Sequence, residues 1–138
     1  MTGIPEGFEP HFRKSPLTDP WEPLYSRRTP EAVILGLRLG TPHTNARGFA
    51  HGGLISALAD NAMGLSCGPH LRTPIGGLVT VSLTVDFMGR GEIGQWLVFE
   101  TGFVKAGRVL CFTQCLVTAD GRPIAKASAN FHVIPVAA

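Results

Sequence analysis

The sequence is short of cysteine and of charge, and each shortage closes off a class of protein. Three cysteines occur in 138 residues. An odd number without paired spacing offers no disulfide framework and fits a reducing compartment. Cys67-Gly-Pro-His70, even with His43 and His51 added, matches no common zinc spacing, so no metal is expected. Charged residues make up 16% of the chain and the formal net charge is +2. That balance is too small to argue for a nucleic-acid or membrane surface, although an anionic small ligand needs only a local basic cluster. No apolar run reaches the ~20 residues that cross a bilayer. The first 30 residues lack an apolar core behind a basic start, so no signal peptide is expected and the cytoplasm is the default location. There is no Gly-x-Ser-x-Gly elbow of a serine hydrolase, no Gly-x-x-x-x-Gly-Lys phosphate loop, no internal repeat and no low-complexity tract.

What is present centres on His51-Gly-Gly-Leu-Ile-Ser-Ala-Leu-Ala-Asp60-Asn-Ala-Met-Gly-Leu-Ser-Cys67. This reads as one helix of about four to five turns, stopped by Gly68-Pro69. At about 100° per residue it has no clean polar face. Leu54, Leu58 and Leu65 share one side, Ile55 and Ala62 lie beside it, and Ala59 and Met63 carry apolar character round the back. A helix apolar on nearly all sides is expected to be wrapped by the rest of its domain. Asp60 is then the informative residue, because a carboxylate in a buried helix is costly and easily perturbed. Ser56, one turn earlier, is placed to donate to it. The bland alternative is a carboxylate satisfied by hydroxyls in a polar nick of the core.

The remaining chain is most simply one domain with an extension. Residues 1–30 contain prolines 5, 10, 16, 20, 23 and 30, six of the eleven in the sequence. They form a proline-rich N-terminal extension expected to run over the surface of a domain spanning 31–138, with Leu24 to Arg28 as a candidate edge strand. Its aromatics either pack on the outside or lid a pocket. Ala32 to Leu39 reads as a strand. After the helix, Val79 to Phe87 alternates without a fault: Val79, Val81, Leu83, Val85 and Phe87 on one face, Thr80, Ser82, Thr84 and Asp86 on the other. Trp96–Val104, Val109–Thr118 and Ile124–Ile134 read as further strands, joined by short turns that include Asp120-Gly121. The expected plan is an α+β domain in which an antiparallel meander of four strands, with one or two earlier ones, curls about one long helix. Its open side gives it a strong reason to dimerise.

The approach to the helix reads Asn45-Ala-Arg-Gly48-Phe-Ala-His51-Gly52-Gly53, with Asp60 eight residues after Gly52. Over residues 31–135 this resembles the hotdog-fold acyl-CoA thioesterases of the phenylacetic-acid-pathway (PaaI-like) type. In them an Asn-x-x-Gly-x-x-His-Gly-Gly segment opens the central helix and an Asp or Glu sits two turns in. The resemblance implies a hotdog fold, an antiparallel sheet of five to six strands around the helix. It also implies thioester hydrolysis without a metal or organic cofactor, coenzyme A entering only as part of the substrate. The proline-rich start lies outside it.

The residues suit that chemistry. A helix N-terminus presents free N–H groups and partial positive charge, and glycine at 52 and 53 leaves room for a carbonyl to approach. The Gly52 N–H, with the Asn45 amide, is expected to polarise the thioester oxygen. Asp60 would act on the attacking water as general base or attack directly as a nucleophile. Gly52 and Asp60 are about 12 Å apart along the helix, so one chain does not easily present both to one thioester. Two antiparallel helices at a twofold axis would, giving two composite sites per dimer. The family shares its sites in this way and often forms a homotetramer. It also places a Ser or Thr near the start of the next strand, a position that aligns with Thr80, Ser82 being the second choice; the alternative is an ordinary strand threonine. His51 either positions substrate or is a structural residue at the start of the helix. Arg90, Lys105 and Arg108, with Arg47 and Arg72 as further candidates, are the basic residues available to coenzyme A phosphates, against the plain reading of solvated surface charge. Phe87, Phe99, Phe103 and Phe112 are candidate acyl-pocket walls.

Two other activities fit less well. A hotdog acyl-CoA hydratase or dehydratase needs a His-Phe-Pro-Gly type segment, which is absent. A non-catalytic acyl-CoA-binding module would leave Asp60 without a purpose.

Overall fold

Residues 3–137 are described in the computed structural model. The strands are β1 (Glu9–Pro10), β2 (Tyr25–Arg28), β3 (Val33–Arg38), β4 (Gly77–Phe87), β5 (Trp96–Ala106), β6 (Leu110–Ala119) and β7 (Arg122–Ile134). One α-helix, α1 (Gly52–Cys67), lies between β3 and β4. All strand pairs are antiparallel, in the order β1-β2-β3-β5-β6-β7-β4. The sheet thus has seven strands rather than the expected five to six, because the proline-rich segment supplies β1 and β2. Nor is Tyr25–Arg28 the edge, since Glu9 and Pro10 pair outside it.

The expected four-strand meander is corrected to three. β5, β6 and β7 follow one another through short turns, but β4 pairs with β7, on the far side from β5. The connector 88–95 is too long for a tight hairpin. It crosses the end of the sheet instead, with Met88 N–H donating to Ile124 O, Ala50 N–H to Gly91 O and Gly94 N–H to Leu39 O.

Alternation sorts the strands into two faces. Leu35 and Leu37 of β3, Leu97 and Phe99 of β5, and Cys111, Cys115 and Val117 of β6 point at the helix and are buried. On β7 the inward residues Ala125, Ala127 and Ala129 are small, which lets the helix approach the sheet closely. Leu54, Ile55, Leu58, Ala59, Ala62 and Met63 fill the space from the helix side. Each fully buried Leu or Met there contributes about 1.5–3 kcal/mol.

The helix is not covered all round. Asp60, Asn61, Gly64 and Leu65 are only half-buried, on a face that the sheet leaves open. The outer face of the sheet is covered near β3 by the N-terminal segment. Phe8 meets Trp96 edge-on at 5.2 Å and Tyr25 lies 5.8 Å from the same ring. Gly36 must be glycine for this packing, because a Cβ there would stand 2.5 Å from the Trp96 ring. These aromatics therefore pack on the outside.

Candidate functional site

The helix start is fixed by its first residues. His51 is the N-cap in extended conformation, and its Nδ1 accepts the Gly53 N–H at 2.8 Å. That acceptance makes Nδ1 unprotonated and leaves the ring proton on Nε2. Gly53, one of the residues expected to face the substrate, has its N–H engaged by this cap. No hydrogen bond among the described residues engages the Gly52 N–H. Gly52 has little room: a Cβ would come within 3.3 Å of the Phe87 ring, which covers this end of the helix. Asn45 lies in the loop before it, its Oδ1 accepting the N–H groups of Arg47 and Phe49 at 2.9 and 3.2 Å. Those bonds turn the amide oxygen into the loop and leave the amide NH2 without a partner among the described residues.

Two turns along, Thr80 Oγ1 donates to Asp60 Oδ1 at 2.8 Å. Ser56, the donor expected from helix spacing, bonds instead to its own helix at Gly52 O, 2.8 Å away. Thr80 reaches the helix because β4 is not faultless. The β4–β7 register shifts between Thr80 and Ser82, so Val81 has no cross-strand partner. The bulge reverses the faces on one side of it. Leu78 and Thr80 look at the helix, whereas Thr84 and Asp86 lie on the outer face of the sheet. Thr80 is thereby separated from Ser82, Thr84 and Asp86, with which alternation alone would group it.

Asp60 and Thr80 open into a cleft of about 540 Å³. Asp60, Asn61, Gly64, Leu65 and Gly68 form its floor along the open face of the helix. Gly77, Leu78 and Thr80 of β4 form one wall, with Ile75 and Phe131 adding apolar surface. The other wall is His11, Arg13 and Ser15 of the N-terminal segment, residues that sequence reasoning did not single out. No local pattern marks them, since the stretch is irregular and bends at Phe12. The segment is held in place by its own contacts: His11 N–H to Leu24 O at 2.9 Å, Lys14 to Glu22 at 3.1 Å, and the Arg28 guanidinium 3.8 Å over the Phe12 ring. Burial holds the His11 imidazole below the usual histidine value, although the Glu22 carboxylate pulls it the other way.

The basic candidates are divided between the ends of the sheet. Arg90 is exposed at the end where the helix begins, its guanidinium 4.6 Å over the Phe49 ring. Arg47 lies over the same ring at 5.9 Å. Lys105 and Arg108 are exposed at the β5–β6 turn, at the end where the helix finishes. β5 spans eleven residues, or roughly 35 Å, so one chain does not gather Arg90, Lys105 and Arg108 at one mouth. Arg72 is exposed in the connector after the helix.

Of the four phenylalanines, Phe99 is in the core, and Phe103 and Phe112 are exposed on the outer face, so these three do not line the Asp60 cleft. A larger recess of about 660 Å³ lies on that outer face. It holds neither Asp60 nor the helix start. The histidines and thiols are similarly dispersed. His43 Nε2 donates to Trp21 O, His70 Nε2 to Glu31 O, and Cys67 is buried against Met63 O.

Comparison with known proteins agrees with this layout. Residues 47–126 match the thioesterase superfamily. A putative esterase of Pseudomonas aeruginosa is 38% identical over 134 residues, covering 96% of this chain and 99% of that protein. Human acyl-coenzyme A thioesterase 13 is 33% identical over 108 residues, 75% of this chain and 74% of that one. Among solved structures, a hypothetical thioesterase from Streptococcus pneumoniae with coenzyme A has a TM-score of 0.74 at 22% identity, covering 86% of this chain and 94% of its own. A mutant form of the phenylacetic acid degradation protein PaaI of Thermus thermophilus gives a TM-score of 0.74 at 21% identity, over 86% and 98% of the two chains. With its one long α-helix, antiparallel sheet and helix-opening His51-Gly52-Gly53, the chain belongs to the thioesterase superfamily, as a thioester hydrolase of the hotdog fold.

Proposed function

We propose that the protein hydrolyses an acyl-CoA to coenzyme A and a carboxylic acid, with Asp60 acting on the attacking water or attacking the thioester itself. The observation that carries this is the Thr80–Asp60 hydrogen bond at 2.8 Å inside an open cleft. Thr80 occupies one carboxylate oxygen and orients the other, and its own lone pairs are available to a water molecule. The unengaged Gly52 N–H and the Asn45 NH2 are the donors for the carbonyl oxygen as it gains negative charge.

Asp60 is eight residues beyond Gly52, so the site is completed by a twin chain, the helix start of one protomer facing the other's Asp60. β4 supports this arrangement. Among the described residues it ends the sheet with no neighbour on one side, and Val79 and Val81 are 50% and 60% exposed. Antiparallel pairing of β4 with its twin would satisfy that edge and bring the open helix faces together. A homodimer, or a homotetramer of two such pairs, is the assembly proposed. It would also unite the Arg90 of one chain with Lys105 and Arg108 of the other as a coenzyme A phosphate site. The domain of residues 31–138 carries the reacting groups, and the extension 1–30 is an accessory wall. No metal or organic cofactor is needed for these steps. Among the described residues no helix is long and apolar enough to cross a membrane, and a cytoplasmic location is proposed.

The hydratase and binding-module readings gain nothing from the geometry. His51 spends Nδ1 on the Gly53 N–H, and Asp60 has a hydroxyl partner suited to water activation. A thiol-release screen over short, long and aromatic acyl-CoAs tests the proposal. Release with at least one class supports it, and thermal stabilisation by acyl-CoA without any release would replace it with the binding module.

A further inference from the structure

The cleft beside Asp60 is chemically two-ended. The thioester chemistry sits at Asp60 and Thr80, and Leu78, Leu65 and Phe131 provide apolar surface. The opposite wall presents a guanidinium and an imidazole, Arg13 and His11, from the N-terminal segment. His11 is 5% exposed and its Nδ1 is buried without a hydrogen-bond partner. A buried polar nitrogen left unpaired is costly, and the ring that carries it stands in the cleft wall. Arg13 is exposed and makes no ion pair or hydrogen bond among the described residues, whereas its neighbour Lys14 is paired with Glu22 and does not line the cleft. One cation thus lines the cleft and the next does not. The segment's anchoring to β2 and Glu22 fixes that choice.

Resting on the thioesterase reading above, we infer that Arg13 and His11 recognise an anionic group on the acyl chain, so that the preferred substrates are CoA monothioesters of dicarboxylic acids. Arg13 supplies a fork of donors that matches a carboxylate, and His11 adds one neutral donor or acceptor. The apolar stretch between the two ends suits the methylenes that separate the carboxylate from the thioester. An anion at this wall has one other source, a phosphate of coenzyme A, and the two are separable.

The test compares kcat/KM of the full-length protein for unbranched acyl-CoAs of several lengths with and without a terminal carboxylate. It then repeats the series with Arg13→Ala, Arg13→Lys and His11→Asn. The wild type should favour the carboxylated member by at least tenfold at the best length. Arg13→Ala should remove that preference by lowering kcat/KM for the carboxylated member far more than for the neutral one, and Arg13→Lys should restore part of it. The same loss should appear with carboxylated N-acetylcysteamine thioesters, which carry no phosphate. An equal loss on neutral and carboxylated acyl-CoAs that vanishes with N-acetylcysteamine thioesters would assign Arg13 to coenzyme A and overturn the inference. So would a wild type with no preference for the carboxylate. A wild type that releases thiol from neutral acyl-CoAs alone refutes only this inference. Release from no thioester refutes the hydrolase reading beneath it.

Discussion

Thr80 Oγ1 stands 2.8 Å from Asp60 Oδ1 across the gap between the edge strand and the central helix. The contact joins two elements that meet nowhere else through side-chain hydrogen bonds among the described residues. A bulge at Val81 makes it possible.

Asp60→Ala is expected to lower kcat by about 10²–10⁴-fold while leaving the circular dichroism spectrum and unfolding midpoint close to wild type. Near-normal turnover with several acyl-CoAs would refute the role. Thr80→Ala should cost less than Asp60→Ala, and Thr80→Ser should recover most of the loss because the hydroxyl is retained. Single turnover in ¹⁸O-labelled water separates the two routes. Label recovered in Asp60 identifies direct attack, through an anhydride that water opens at the aspartyl carbon, and water activation leaves Asp60 unlabelled.

Subunit mixing addresses the shared site. Gly52→Val puts a side chain where the Phe87 ring already leaves only 3.3 Å, blocking the helix start. Mixed with Asp60→Ala, it should regain up to about a quarter of wild-type activity, since half the dimers are hybrids and each hybrid holds one intact site. Silence in spite of demonstrated subunit exchange would argue that each chain uses its own groups.

His51 is predicted to matter first for stability. Its Nδ1 satisfies one of the orphan N–H groups of the helix. His51→Ala should lower the unfolding free energy by about 1 kcal/mol, with Asn or Asp at the position retaining most of it. Denaturant titration measures both. An unchanged midpoint for the alanine variant would mean that the cap contributes nothing.

The three thiols set an alkaline limit. Burial pushes Cys67, Cys111 and Cys115 up, Cys115 to about 12. Unfolded thiols ionise near their reference value of about 8.5, whereas the folded ones keep their protons. Above that pH the unfolded state binds fewer protons, so stability falls as pH rises, by up to about 1.4 kcal/mol per unit for each thiol. The contribution is fully present below about pH 8.5 and is lost through the folded value of about 12 for Cys115. Cys115→Ala should flatten that decline. An equally steep alkaline limb would assign it elsewhere.

Much of this was legible from the residues. The helix stands out because the sixteen residues from Gly52 to Cys67 are interrupted by polar side chains only at Ser56, Asp60, Asn61 and Ser66. Strands β5 to β7 are legible because short turns force neighbours together. The partner of β4 was not, because its connector is long and a register on β7 depends on contacts far away in sequence. Alternation misled at Val81, since one unpaired residue moves every later side chain to the other face. Ser56 misled for a related reason: helix spacing placed it near Asp60, but a helical serine can bond to the carbonyl four residues back. His11 and Arg13 stayed hidden because nothing local tells a proline-rich segment which edge of a curled sheet it will lie against.

The edge strand has a cost that falls before any chemistry begins. From Gly77 to Phe87 it contains no proline and no lysine or arginine, and its one charge is Asp86. Natural sheets blunt their borders with those residues to keep stray chains from adding on. A newly made copy here has only Asp86 and the bulge at Val81 for that purpose, and its valines are open to an extended polypeptide nearby. Until the border is claimed, dilution and crowding decide whether the chain stays in solution or grows into aggregate.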